Sequence, residues 1–257
     1  MSTPTTVVYT FNPASSGGVS GTITTVVGAP GSAEIKANLD LTNANWSALQ
    51  AFDGNCTGSP VTEFTWHIHS VWNNTKSSEF TTGCSLAKAG NHYDPDFACG
   101  PNSEYIKDPK CAGKTYACNT TTYAANPSAC EKGDLSGHVG KMKATDGKIV
   151  ASWSDKGNYP SVAEHKPTWN IMLHAVCGSV TPRFICATGA VSTESLDAGS
   201  NSTNATNPST TKANEVTTPA PGTVTTTTAA PTTTKANSAV KVSVLAALSM
   251  AVLAALF

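Results

Sequence analysis

Arginine is almost missing from this 257-residue chain: Arg183 is the only one, and the formal net charge is −1. Without a basic patch the sequence offers nothing to a phosphate backbone or an anionic lipid surface, so no nucleic-acid partner is expected. None of the eight cysteines stands in a CxxC pair, which leaves no zinc-ribbon spacing. Convincing 3.6-residue periodicity is absent, which argues against a helical domain. The longest uncharged apolar end, 242–257, has 16 residues, short of the roughly 20 that a membrane-spanning helix needs. Beyond Gly189 there is no cysteine, histidine or arginine, and no aromatic residue except Phe257.

That last boundary predicts the domain organisation. Residues 1–190 hold the material for one folded domain, large enough for a buried core. Residues 191–238, rich in Thr, Ala, Ser and Pro, read as a disordered stalk of the O-glycosylated kind. Residues 239–257 resemble a GPI-attachment signal, with Asn237 or Ser238 as the attachment residue. Eight dispersed cysteines point to disulfides and an oxidising compartment. Asn45, Asn55, Asn73, Asn119, Asn201 and Asn204 each lie in an N-x-S/T sequon. These features predict an extracellular protein held to the cell surface or wall by a lipid anchor, its one link to a membrane. The start, MSTPTTVVYT, carries no apolar signal core, so a start methionine in place of the natural leader is expected.

Strands dominate the domain. Residues 6–11, 19–27, 33–41 and the run 61–72 alternate apolar and polar side chains, with Gly/Pro/Ser turns between them. Further strands are predicted at 137–144, 148–154, 169–177 and 183–188, the first two joined by an Asp146-Gly147 hairpin turn. About eight short strands argue a β-sandwich or barrel. Between Thr81 and Cys130 lies a loop of some 50 residues, rich in Gly, Pro, Asn, Cys and Tyr. A loop of that length is generally functional, and Cys99, Cys111, Cys118 and Cys130 are placed to staple it.

The chemistry centres on Trp66-His67-Ile68-His69. On a strand, His67 and His69 project to the same face, and two imidazoles on one rigid element make half a metal site. Four further pieces follow in order: Gly90-Asn-His92-Tyr-Asp-Pro95, Cys130-Glu-Lys-Gly-Asp134-Leu-Ser-Gly137, Leu173-His174-Ala175, and Arg183-Phe-Ile-Cys186.

As an ordered set these pieces resemble the copper–zinc superoxide dismutase family over about residues 5–189. The resemblance implies an eight-stranded Greek-key β-barrel with His67, His69, His92 and His174 as copper ligands. It also implies a Cys84–Cys186 disulfide and Arg183 as the residue that guides and holds the anionic substrate. Two departures are informative. Between His92 and Asp134 there is no histidine, so the family's zinc site cannot be assembled, and Glu131 stands at one of its ligand positions. Arg183 follows His174 by only nine positions, too few for the long charged loop that covers the channel.

Both departures are similar to the copper-only superoxide dismutases, extracellular and often GPI-anchored proteins of fungi and oomycetes. There, Glu131 would hold the His92 ring by hydrogen bonds in place of zinc, and Asp134 would give further support. The implied function is conversion of superoxide to dioxygen and hydrogen peroxide by one copper alternating between its two oxidation states, without zinc. His92 would be a mobile, tethered imidazole, and Arg183 a permanent charge beside an open, shallow site. His138 and His165 fit no ligand position and read as surface residues. A copper-binding cell-surface protein with poor turnover is the alternative; a zinc hydrolase is disfavoured because His174 fills the open position that such a site needs. Pairing of the other six cysteines and the state of assembly are left open, a monomer sufficing.

Overall fold

The structure, a computed structural model, describes residues 5–58 and 60–192. The lipid-attachment signal, residues Asn201, Asn204, Asn237 and Ser238, and the expected stalk from residue 193 onward lie outside them, whereas Val191 and Ser192, expected in the stalk, belong to a strand. Nine strands are formed among the described residues: β1 (Thr5–Phe11), β2 (Ser20–Val27), β3 (Gly31–Asp40), β4 (Glu63–His69), β5 (Ser78–Phe80), β6 (Met142–Lys143), β7 (Lys148–Tyr159), β8 (Asn170–Ala175) and β9 (Arg183–Ser192). Eight of them pair in the order β6-β4-β8-β9-β1-β2-β3-β7, all antiparallel, and β5 adds to β9. The two ends of that path, β6 and β7, meet across the Asp146-Gly147 turn through a Thr145–Lys148 bridge. Both turn residues have positive φ, 50° and 71°, as the tight two-residue hairpin requires. The result is a nearly closed eight-stranded antiparallel barrel.

Its interior is filled by every second residue of each strand: Val7, Tyr9 and Phe11 from β1, Ile35 and Leu39 from β3, Phe64, Trp66 and Ile68 from β4, Ile171 and Leu173 from β8. Burying such side chains contributes about 1.5–3 kcal/mol each. On β4 this alternation turns His67 and His69 to the outside of the barrel. Normally that side would face water, yet both are buried. The covering layer is the long loop between β5 and β6.

That loop is not the structureless segment that its composition suggests. It carries three short α-helices, α2 (Leu86–Ala89), α3 (Thr120–Ala125) and α4 (Leu135–Val139), besides 3₁₀ turns at Thr81–Cys84, Pro109–Cys111 and Pro127–Ala129. A further helix, α1 (Trp46–Phe52), sits in the β3–β4 connection. The strand expected at 137–144 is a correction: residues Leu135–Val139 form α4, capped by Asp134, and only Met142–Lys143 remain extended. The capping side chain, whose Oδ1 accepts from Gly137 N at 2.9 Å, outweighs the local alternation. Four disulfides, Cys56–Cys177, Cys84–Cys186, Cys99–Cys111 and Cys118–Cys130, tie these segments down.

Candidate metal centre

Four imidazoles meet on the outer face of the β4–β8 pair. His67 and His69 come from β4. His174 on β8 pairs with Thr65, so it lies diagonal to His67 on the same face. His92 arrives from the loop, which lays itself along β4 as an extra strand: a bridge joins His92 to His69, and Tyr93 N donates to Ile68 O at 2.9 Å. Gly133 closes that seam, its N–H donating to Tyr93 O and its carbonyl accepting from Ile68 N, both at 2.8 Å. A Cβ on Gly133 would stand 2.6 Å from Ile68 O and 2.9 Å from Tyr93 N, so only glycine fits.

Each ring is oriented by an acceptor on one nitrogen. His69 Nδ1 donates to Gly90 O and His174 Nδ1 to Thr181 O, each at 3.0 Å. Glu131 Oε2 lies 2.6 Å from His92 Nδ1, and Asp134 Oδ1 lies 3.5 Å from His67 Nε2. The nitrogens left over are His67 Nδ1 and the Nε2 atoms of His69, His92 and His174. Of these, His67 Nδ1 and His92 Nε2 are buried without a hydrogen-bond partner. The Nε2 atoms of His69 and His174 face one another at 3.4 Å although both bear lone pairs. One nitrogen from each ring falls within 4.8 Å of the other three. Converging, partnerless lone pairs are the donor set of a metal ion that accepts imidazole, so the residues fit a copper ion.

The electrostatics agree with ligation, which needs neutral imidazole. Burial, reinforced by the neighbouring rings, lowers the pKa of His67, and that of His69 and His174 well below the usual value. His92 is brought down to about 4, chiefly by burial. Glu131 is pushed up to about 8 by burial, with Asp134 and Asp94 adding to it; a cation beside His92 acts in the opposite direction. Asp134 is also buried, but hydrogen bonds from His67, Tyr116 and Gly137 overcome that burial and hold it well below the carboxylate range.

Arg183 stands at the rim. Its guanidinium donates to Cys84 O at 2.9 Å, Gly90 O at 2.8 Å and Asn91 Oδ1 at 3.4 Å. The Cys84–Cys186 bond, three residues along β9, brings the Cys84 carbonyl to it. Burial lowers Arg183 to about 10, which leaves it cationic at neutral pH. Among the described residues it forms no ion pair, so its charge stays available to an anion. It lines an open depression of about 340 Å³ together with His67, His174, Asn102, Pro182 and Asp53.

Two residues that pattern reading missed belong to this site. Tyr116 donates to Asp134 Oδ2 at 2.7 Å and accepts from Glu131 N at 3.2 Å, linking the two carboxylates that serve His67 and His92. No motif marks it. His138, expected at the surface, is 4% exposed and fully bonded, a correction that follows from its place in α4. His165 is half-buried, its ring against Trp169. The four described sequon asparagines, Asn45, Asn55, Asn73 and Asn119, are exposed.

No protein-family profile matches the chain, and no curated protein aligns with it significantly. Among solved structures it is similar to Candida albicans superoxide dismutase 5 in its Cu(II) form, with 20% identity over 80% of this chain and 100% of that one, and a TM-score of 0.45. A mutant of the same protein gives 19% identity, coverage of 78% and 95%, and a TM-score of 0.46. The clock protein EA4 gives 14% identity, coverage of 74% and 96%, and a TM-score of 0.38.

Proposed function

We propose that this chain is a copper-dependent superoxide dismutase that works without zinc. The observation that carries the reading is the four-imidazole cluster with its convergent free nitrogens, opening beside an unpaired arginine. His67, His69, His92 and His174 would hold the ion. Copper, when bound, supplies the one-electron exchange by which two superoxide anions and two protons become dioxygen and hydrogen peroxide.

The chain's own residues do the rest. Arg183 draws a small anion into the depression and holds it beside the histidines. Glu131 fixes the plane of the His92 ring, and the two share a proton across 2.6 Å. Asp134, held by Tyr116 and Gly137, does the same for His67 less tightly. Glu131 also supports the zinc-free part of the reading, because it occupies the position beside His92 Nδ1 that a bridged second metal would need. An extracellular setting accords with the four disulfides; attachment by a lipid anchor belongs to the same proposal.

The test is metal content with turnover. The full chain, folded under oxidising conditions and offered copper and zinc together, is expected to keep one copper with negligible zinc and to consume superoxide rapidly. Stoichiometric zinc would overturn the zinc-free reading. Copper without turnover would leave a copper-binding surface protein.

A further inference from the structure

His138 is the one buried histidine outside the four-ring cluster, and the proposed reaction does not use it. Its Nδ1 lies 2.8 Å from Asp155 Oδ2 on β7, and its Nε2 lies 2.9 Å from the backbone carbonyl of Glu131. Both neighbours can accept, so each ring nitrogen lies where an N–H can donate. The two side chains of this pair are 0% exposed. Tyr123 of α3 stacks on the ring with centroids 3.9 Å apart and donates its hydroxyl to the other Asp155 oxygen at 2.5 Å. One ring therefore joins α3, α4, β7 and the backbone of Glu131.

Burying a polar pair of this kind costs desolvation that its attraction seldom exceeds, and an apolar replacement of the same shape is often as stable. Stability alone does not account for it here. What the pair does hold is the backbone of Glu131, whose N–H is taken by Tyr116 and whose carbonyl accepts from His138 Nε2 as well as from Asp134 N. Glu131 follows Cys130, itself bonded to Cys118. With both ends of the residue clamped, its carboxylate has little freedom except to meet His92 Nδ1. We propose that His138 is a positioning residue: with Asp155 and Tyr123 it holds the Glu131 backbone so that the carboxylate keeps its short bond to His92. The consequence for copper rests on the reading of His92 as a ligand; the positioning itself does not.

The metal-free full chain tests the positioning directly. A 2.6 Å bond between His92 and Glu131 places its proton far downfield in the NMR spectrum. His138→Leu is expected to weaken or broaden that resonance, and His138→Gln, which keeps an N–H able to reach the Glu131 carbonyl, to restore part of it. A core variant such as Leu39→Ala, chosen for a similar loss of Tm, should leave the resonance in place. Copper affinity, read by chelator competition, should fall about tenfold in His138→Leu. An unchanged resonance in both His138 variants would overturn the proposal, whatever their Tm. Should neither fold, Asp155→Asn and Tyr123→Phe each remove one support from the ring and must perturb the same resonance. If copper fails to bind at all, the metal-free spectrum still decides the positioning.

Discussion

At the scale of single residues the proposed function sorts the site into groups that would face the ion, groups that hold them, and groups that would face the substrate. Glu131 is the informative member of the second kind. Its carboxylate is buried, which raises its pKa, and it meets His92 at 2.6 Å. Such an arrangement is not there for stability, because burying a carboxylate is costly. Glu131→Gln keeps the shape and removes the charge. It should leave copper content and Tm unchanged, or raise Tm slightly, while turnover per copper falls about 10- to 100-fold. Equal superoxide decay at equal copper loading would reduce Glu131 to a space-filling role. Arg183 and Asp53 form a contrasting pair on the rim, of opposite sign around one depression. Arg183→Ala should slow superoxide capture and flatten its salt dependence. Asp53→Asn should speed capture at low ionic strength, with the gain fading as the Debye length falls to about 10 Å at 0.1 M salt. Rate against ionic strength, measured for each variant, gives both signs.

At the scale of elements, α4 shows how one residue can serve two purposes. Asp134 caps the helix through Gly137 N and also faces His67 Nε2. Asparagine caps as well as aspartate, whereas alanine forfeits about 1 kcal/mol, or roughly 2–4 °C in a domain of this size. Asp134→Asn should therefore hold Tm near the wild type and disturb only the copper spectrum, while Asp134→Ala loses both. Identical spectra for Asp134→Asn and the wild type would remove Asp134 from the site. The same element marks where sequence reasoning stops. The long strands were legible because a barrel wall imposes a two-residue period, seen in the alternating burial of β3. Helices of seven residues or fewer are too short for a 3.6-residue period to show. Their caps were hidden too: Asn45 and Asn119, which cap α1 and α3, stand out in the sequence only as sequons. The four histidines and Glu131 were legible through the order of the motifs. His138 was not, since its burial depends on Tyr123 and Asp155, 15 and 17 residues away, and nothing local foretells either contact.

At the scale of the whole molecule, the barrel and its covering loop are held together from outside the core. The Cys84–Cys186 bond closes 102 residues and Cys56–Cys177 closes 121, so each removes much of the unfolded chain's freedom. Cross-links of that span are worth about 4.7 kcal/mol in the chain-entropy account. The 12-residue loops of Cys99–Cys111 and Cys118–Cys130 act locally and brace the segments that carry Glu131 and Asp94. This framework keeps the four imidazoles close even though their free nitrogens repel one another without an ion. Metal binding should accordingly stabilise the fold while changing its shape little. At free copper 100 times the dissociation constant, linkage adds about 2.7 kcal/mol. For a domain of this size that is a rise of about 5–10 °C in Tm. His174→Ala, which removes one of the facing pair, should raise the Tm of the metal-free chain relative to other core truncations and erase most of the copper-dependent gain. Scanning calorimetry with and without copper reads both effects. A copper-induced shift that survives His174→Ala in full would place the ion elsewhere.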